Sequence, residues 1–319
     1  MMFALRGSAV CISVFVMVYC ATSIAVSLSW RHLIFGIRQR PVRQVADLLF
    51  VWRIFPLLSA AAVTAAFTIP SFLLLEPRSI HEPLGAVPIA LAFCGAAFVL
   101  FGAVKATTAL RRARRAISSW TKDALPTSAG AKVPVLRICG KVPPITAAGI
   151  VRSRVLLSCA AESVLTANEL RTALNHELAH LRRRDNLKKL LLQFTSFPGM
   201  QGLESAWLEA TEMAADDAAV ASAPEALDLA AALIKVSRLA PLEDPVELTA
   251  ALIRTRAGSV RARVERLIAW KDQQCVLSTS SSSRLTFGLT TTLATIAAVA
   301  MSYMHLLIGV HMATEWLVR

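Results

Sequence analysis

The chain has 319 residues, 55% of them hydrophobic and only 17% charged, with a formal net charge of +13. That is too apolar for an ordinary soluble domain, so the composition points first to membrane spans. The positive charge would fit nucleic acid if it were spread evenly, but the arginines cluster beside apolar runs and no Lys/Arg stripe interleaves with aromatics, so no nucleic-acid partner is expected.

Residues 8–29 are almost wholly apolar, long enough to span a bilayer and longer than a signal-peptide core. Tyr19 before Cys20 is too bulky for a lipoprotein cleavage site, so the segment reads as a retained transmembrane helix. A basic loop follows, with Arg31, Arg38, Arg40, Arg43 and Arg53. A second span runs about 54–75, with Pro56 and Pro70 near its ends. A short loop from Glu76 to Pro83 leads to a third span, about 84–104, and then to Lys105, Arg111, Arg112, Arg114 and Arg115. The last apolar run is about 285–310. The positive-inside rule puts the basic first loop and the basic start of the long insert in the cytoplasm. Both termini then lie outside a cell membrane. Three domains follow: 1–104 with three spans, a cytoplasmic insert 105–284, and 285–319 with the fourth span and a short tail.

The insert reads as α+β. Arg111–Ser119 is a basic juxtamembrane segment suited to anionic headgroups. Val133–Cys139 alternates like a strand, Gly140–Pro144 is a turn, and Thr146–Val151 with Arg154–Ser158 reads as a hairpin. Asn186–Phe197 is strongly apolar but too short to span. Pro198-Gly199 breaks it, and helices follow at about 203–221, 224–239 and 261–271, with a loop at 241–245 and a Ser-rich linker at 278–283. Cys11, Cys20 and Cys94 lie in apolar runs and there is no C-x-x-C, so the six cysteines read as small buried residues and not as a disulfide framework.

The chemistry centres on His176-Glu177-Leu178-Ala179-His180. Thr166 with Glu169 three residues on is a capping-box signature, and Leu170, Ala173, Leu174, Leu178 and Leu181 recur at helical spacing. His176 and His180 therefore project from one side of a helix and can share one Zn²⁺, with Glu177 directed at its water. The alternative is a chance match on an amphipathic helix. A catalytic zinc keeps three protein ligands. His32, His81, His305 and His311 all lie outside the insert, which favours a carboxylate as the third. Glu212 and Asp216, four apart, fit a ligand plus an acceptor for an imidazole N–H, or equally a solvated polar face.

The run from His176 to Asn186, His-Glu-Leu-Ala-His-Leu-Arg-Arg-Arg-Asp-Asn, resembles the signature of the antirepressor, β-lactam-sensor family of membrane zinc metallopeptidases. Glu212-x-x-x-Asp216 matches the gluzincin pattern shared with CAAX-prenyl-protease-like peptidases. The resemblance implies an α-helical multi-pass membrane protein of four transmembrane helices, with a cytoplasmic α+β zincin-like metallopeptidase domain between the third and fourth. It implies His176, His180 and Glu212 as ligands of one zinc per chain, Glu177 as general base and Asp216 beyond the ligands. Asp185 and Asn186 match too; Asp185 either supports the site or caps the next helix. Arg266 resembles an Arg on a late helix of related peptidases and is a candidate oxyanion donor, against a surface Arg on an amphipathic helix. The strand Arg154, Val155, Leu156, Leu157 could pair with an extended substrate by β-addition, or be purely structural.

Drug-sensing members carry an extracellular sensor after the fourth span. This sequence runs only to Arg319, so antibiotic sensing is not expected to carry over. What remains is regulated proteolysis of a cytoplasmic protein such as a transcriptional repressor, the signal arriving through a homo-oligomer or a separate sensor partner. Rival readings are a CAAX-protease-like maturation peptidase and a signalling scaffold with a structural metal. Glu177 argues against the scaffold, since a structural site needs no base.

Overall fold

A computed structural model describes residues 2–37, 39–76, 85–122, 124–127, 133–140, 142–150, 152–239, 250–251, 257–270 and 302–315. The long apolar runs form long helices: α1 (Met2–Ile37), α2 (Val42–Val63) continued by a π-helical turn (Thr64–Thr68) into α3 (Ile69–Leu75), and α4 (Ala86–Trp120). Among the described residues, these three stretches are long and apolar enough to cross a membrane. The fourth apolar run lies largely outside the described residues, although 302–315 is helical. The loop at 77–83, the loop at 241–245 and the linker at 278–283 also lie outside them. The juxtamembrane segment expected at Arg111–Ser119 is not a separate element but the last turns of α4. Arg53, read as part of the basic loop, sits inside α2 and is buried.

The chain divides into two compact units. One comprises Met1–Phe35, Val51–Phe101 and Ser278–Arg319; the other comprises Gly36–Phe50 and Gly102–Leu277. In the first, Tyr19 is buried with its ring 4.6 Å from Phe98. Pro70 has no N–H to offer the carbonyl four residues back. That carbonyl, Ala66 O, instead accepts from the Tyr303 hydroxyl at 2.7 Å. The proline's missing donor and the π-helical turn before it are thus parts of one local arrangement.

The second unit holds a sheet in the order β1-β2-β4-β3-β5: β1 Leu125–Thr127, β2 Val135–Ile138, β3 Ile145–Ala148, β4 Arg154–Ser158 and β5 Ala250–Ala251. β2 and β4 are parallel and the other pairs antiparallel. The expected β3–β4 hairpin is present; Gly149 turns it at φ 93°, where a Cβ would collide with the Arg152 carbonyl. Alternation along the strands serves two layers. Val135, Ile145, Val155 and Leu157 pack with α6 (Ala167–Arg182) and α9 (Ala223–Leu239), while Ile138, Ala148 and Leu156 pack with Ile117 and Trp120 of α4. The remaining helices are α5 (Cys159–Val164), α7 (Asp185–Phe194), α8 (Gln201–Ala219) and α10 (Ala257–Ile268). Buried Ala210, Ala214 and Ala215 give α8 a flat face, so it can approach α6 closely.

One expectation is overturned here. Cys139 and Cys159 are disulfide-bonded, with Cα atoms 5.0 Å apart. The parallel register pairs Ile138 with Ser158, so the next residue on each chain is a cysteine beside its partner. Twenty residues of separation hid this, because only the parallel pairing makes the two neighbours.

Candidate metal centre

The site begins with how α6 is held. Thr166 caps it through a reciprocal capping box with Glu169: Glu169 N–H donates to Thr166 Oγ1 at 3.3 Å and Thr166 N–H to Glu169 Oε2 at 2.8 Å. Lys235 on α9 binds the same carboxylate at 2.8 Å. The helix turns its polar residues inward at one place, and His176, Glu177 and His180 are 0–1% exposed.

The two Nε2 atoms lie 3.1 Å apart. Glu212 on α8 brings Oε2 to 3.6 Å from His176 Nε2 and Oε1 to 3.7 Å from His180 Nε2. One ligand atom from each of the three lies within 4.8 Å of the others. Behind them, His180 Nδ1 meets Asp185 Oδ2 at 2.7 Å, and His176 Nδ1 lies 2.9 Å from Asp216 Oδ1, an ion-pair contact less well aligned as a hydrogen bond. A carboxylate at each Nδ1 favours the tautomer that leaves Nε2 to a metal, and both Nε2 atoms face one spot. Two imidazoles and a carboxylate converging in a buried pocket draw a positive charge to one point, a proton or a metal ion. The residues therefore fit a bound metal ion.

The electrostatics carry the same message. Burial alone would lower the His176 pKa, but Asp216 and Glu212 outweigh it and hold it at about 9. Burial lowers His180, and the attraction of Glu212 and Asp185 does not restore it. Burial would raise Glu212, yet His180, His176 and Arg263 hold it far below the usual carboxylate range. Asp216, equally buried, is brought to about 2, chiefly by Arg263. Glu177 behaves differently: burial pushes it up to about 8, against the pull of His176. Its Oε2 accepts from the Ala147 N–H of β3 at 2.6 Å, and Oε1 has no hydrogen-bond partner among the described residues.

Asn186 secures that strand. Its Nδ2 donates to Ala147 O and Gly149 O, each at 3.2 Å. Asp185 opens α7 and reaches His180, so it serves the site rather than only a helix end. The run after the motif thus turns back onto it through Arg184, which takes the left-handed conformation at φ 54°.

Two candidates are corrected. Arg266 turns away: its Nη2 holds Asp217 at 2.6 and 2.7 Å, and the site's arginine is Arg263. Arg263 binds Asp216 through Nε at 2.8 Å and Nη2 at 2.6 Å, and Glu212 through Nη1 at 3.1 Å, and it is 2% exposed. The signal was in the spacing, since Val260, Arg263, Leu267 and Trp270 form the buried stripe of this segment and Arg266 lies off it. The second correction concerns β4. Val155, Leu156 and Leu157 pair with β2 on one side and, together with Arg154, with β3 on the other, which leaves no free edge for β-addition.

A buried helix-borne His-Glu-x-x-His with a glutamate from a second helix defines a metallopeptidase. The family model described as BlaR1 peptidase M56 matches residues 55–267, and the chain belongs to that family. No curated protein matches the sequence. Its substrate class is accordingly protein.

Breaking the Arg263 pair strands two buried carboxylates. Arg263→Met should therefore destabilise the second unit by about 3–5 kcal/mol, and Arg266→Met, at a partly exposed pair, by about 1 kcal/mol or less. Urea unfolding followed through tryptophan fluorescence separates the two; equal losses would contradict the assignment of Arg263 to the site.

Proposed function

We propose that the chain is a zinc endopeptidase of the cell membrane, with its catalytic unit in the cytoplasm and a regulatory protein, such as a transcriptional repressor, as substrate. The observation that carries the peptidase chemistry is Glu177: one oxygen fixed by Ala147, the other open beside His176, His180 and Glu212. His176, His180 and Glu212 would hold the zinc, which would supply a water of lowered pKa and polarise the scissile carbonyl. Glu177 Oε1 is then the atom that takes the proton of the attacking water and returns it to the leaving amine. The raised affinity of Glu177 for a proton suits that exchange. Asp185 and Asp216 orient the imidazoles, and Arg263 keeps Glu212 and Asp216 ionised. Regulatory proteolysis is supported by the family, and the cytoplasmic orientation by the arginines at 38–43 and 111–115 flanking the spans.

Glu177→Gln should cut cleavage by about 10²–10⁴-fold while about one zinc per chain stays bound. Comparing protein N-termini in cells with the parent and with Glu177→Gln names the substrate. New termini that persist in the variant would rule out Glu177 as the base.

The orientation has its own readout in Cys139 and Cys159. In the cytoplasm thiol buffers would open the disulfide described above, so both should be alkylated in rapidly quenched cells. A pair blocked until reductant is added would place this unit on the oxidising side.

A further inference from the structure

A cavity of about 610 Å³ opens in the second unit between α4 and the β3–β4 turn. Leu110 and Ile117 of α4 and Ile150 beyond the turn line it with apolar surface. Arg114, Arg152 and Arg154 also line it, and no acidic side chain does among the described residues. Arg183, Arg263 and Arg266 of this unit have acidic partners. Arg114, Arg152 and Arg154 have none among the described residues. Arg114 and Arg152 are exposed, whereas Leu110, Ile117 and Ile150 are half-buried. The cavity is therefore apolar within and cationic toward solvent. Its complement is a molecule with an anionic head and an apolar chain.

The position of α4 narrows the choice. The wall of the cavity is the continuation of the third candidate span. Lys105 is the first charged residue after the apolar run, and Leu110 and Arg114 follow it by about 8 and 14 Å of helix rise. That starts the cavity just beyond the hydrocarbon, at the depth of the headgroups, within reach of long arginine side chains. A soluble anion would satisfy the arginines and leave the apolar wall bare.

We propose that this cavity binds one anionic phospholipid, its phosphate on Arg114, Arg152 and Arg154 and the start of an acyl chain against Leu110, Ile117 and Ile150. The site is separate from the metal centre. At the β3–β4 turn Gly149 and Ile150 also line a small void reaching His180 and Asn186. Binding is read without reference to peptide cleavage, so failure of this inference and failure of the peptidase reading are distinguishable.

The test is lipid retention by the full-length, zinc-loaded protein in detergent, counted by native mass spectrometry with phosphatidylglycerol or phosphatidylcholine added. One phosphatidylglycerol should be held at least tenfold more tightly than phosphatidylcholine. The triple variant Arg114→Gln, Arg152→Gln, Arg154→Gln should lose that preference. Ile117→Trp, which fills the cavity and leaves the arginines intact, should lower retention as much. Arg111→Gln with Arg115→Gln, which removes neighbouring exposed charge, should leave the tight lipid in place. Unchanged zinc content shows that each variant is folded. Equal retention of the two lipids, or full retention by the triple variant or by Ile117→Trp, would overturn the proposal. So would displacement of phosphatidylglycerol by equimolar glycerol 3-phosphate, which would mark a phosphate site, or by an acidic apolar peptide, which would mark a protein exosite.

Discussion

Two imidazole nitrogens 3.1 Å apart, both presenting lone pairs to the same buried point, set the terms for the second unit. The arrangement holds a positive charge at that point, a proton on His176 when no metal is bound or a metal ion in its place. The surrounding residues are arranged to maintain it: Asp185 and Asp216 hold the far side of each ring, and Arg263 balances the carboxylates that the helices bring inward. Removing so many polar groups from water is costly unless they are paired. The pairing is nearly complete. Among the described residues Glu177 Oε1 lacks a hydrogen-bond partner, as do His176 Nδ1 and Asn186 Oδ1, and it is the one of these that can serve as a base.

The same need explains the local fold. α6 must present His176, Glu177 and His180 to one side, which fixes its rotation against the sheet. The capping box and Lys235 fix its start, and Ala147 of β3 meets Glu177 at its middle. Asn186 then ties the strand to α7, so the signature from His176 to Asn186 closes into one hydrogen-bonded loop around the site. α2 and α4 each run without interruption from the first unit into the second.

Much of this could be read from the residues, and the exceptions have physical causes. His176, His180 and Thr166 announce themselves through helical periodicity, because the interactions involved are local. The lack of any other histidine in the insert favoured a carboxylate ligand, and the resemblance carried by Glu212-x-x-x-Asp216 singled out Glu212. Arg263 was missed in favour of Arg266, although burial at intervals of three and four residues singles out Arg263. The disulfide and the interior position of β4 depend on strand order, and strand order is a non-local property that no spacing encodes. The left-handed Arg184 is of the same kind: the turn that returns Asp185 to His180 is imposed by the site and not by the intrinsic preference of arginine.

The central claim is that His176, His180 and Glu212 together hold one zinc. X-ray absorption at the zinc edge of the purified, zinc-loaded protein tests it most directly. The account predicts two imidazole nitrogens and oxygen ligands at about 2.0–2.2 Å with no sulfur, and loss of an oxygen ligand in Glu212→Ala. A sulfur neighbour at about 2.3 Å, or a coordination shell unchanged in Glu212→Ala, would contradict it.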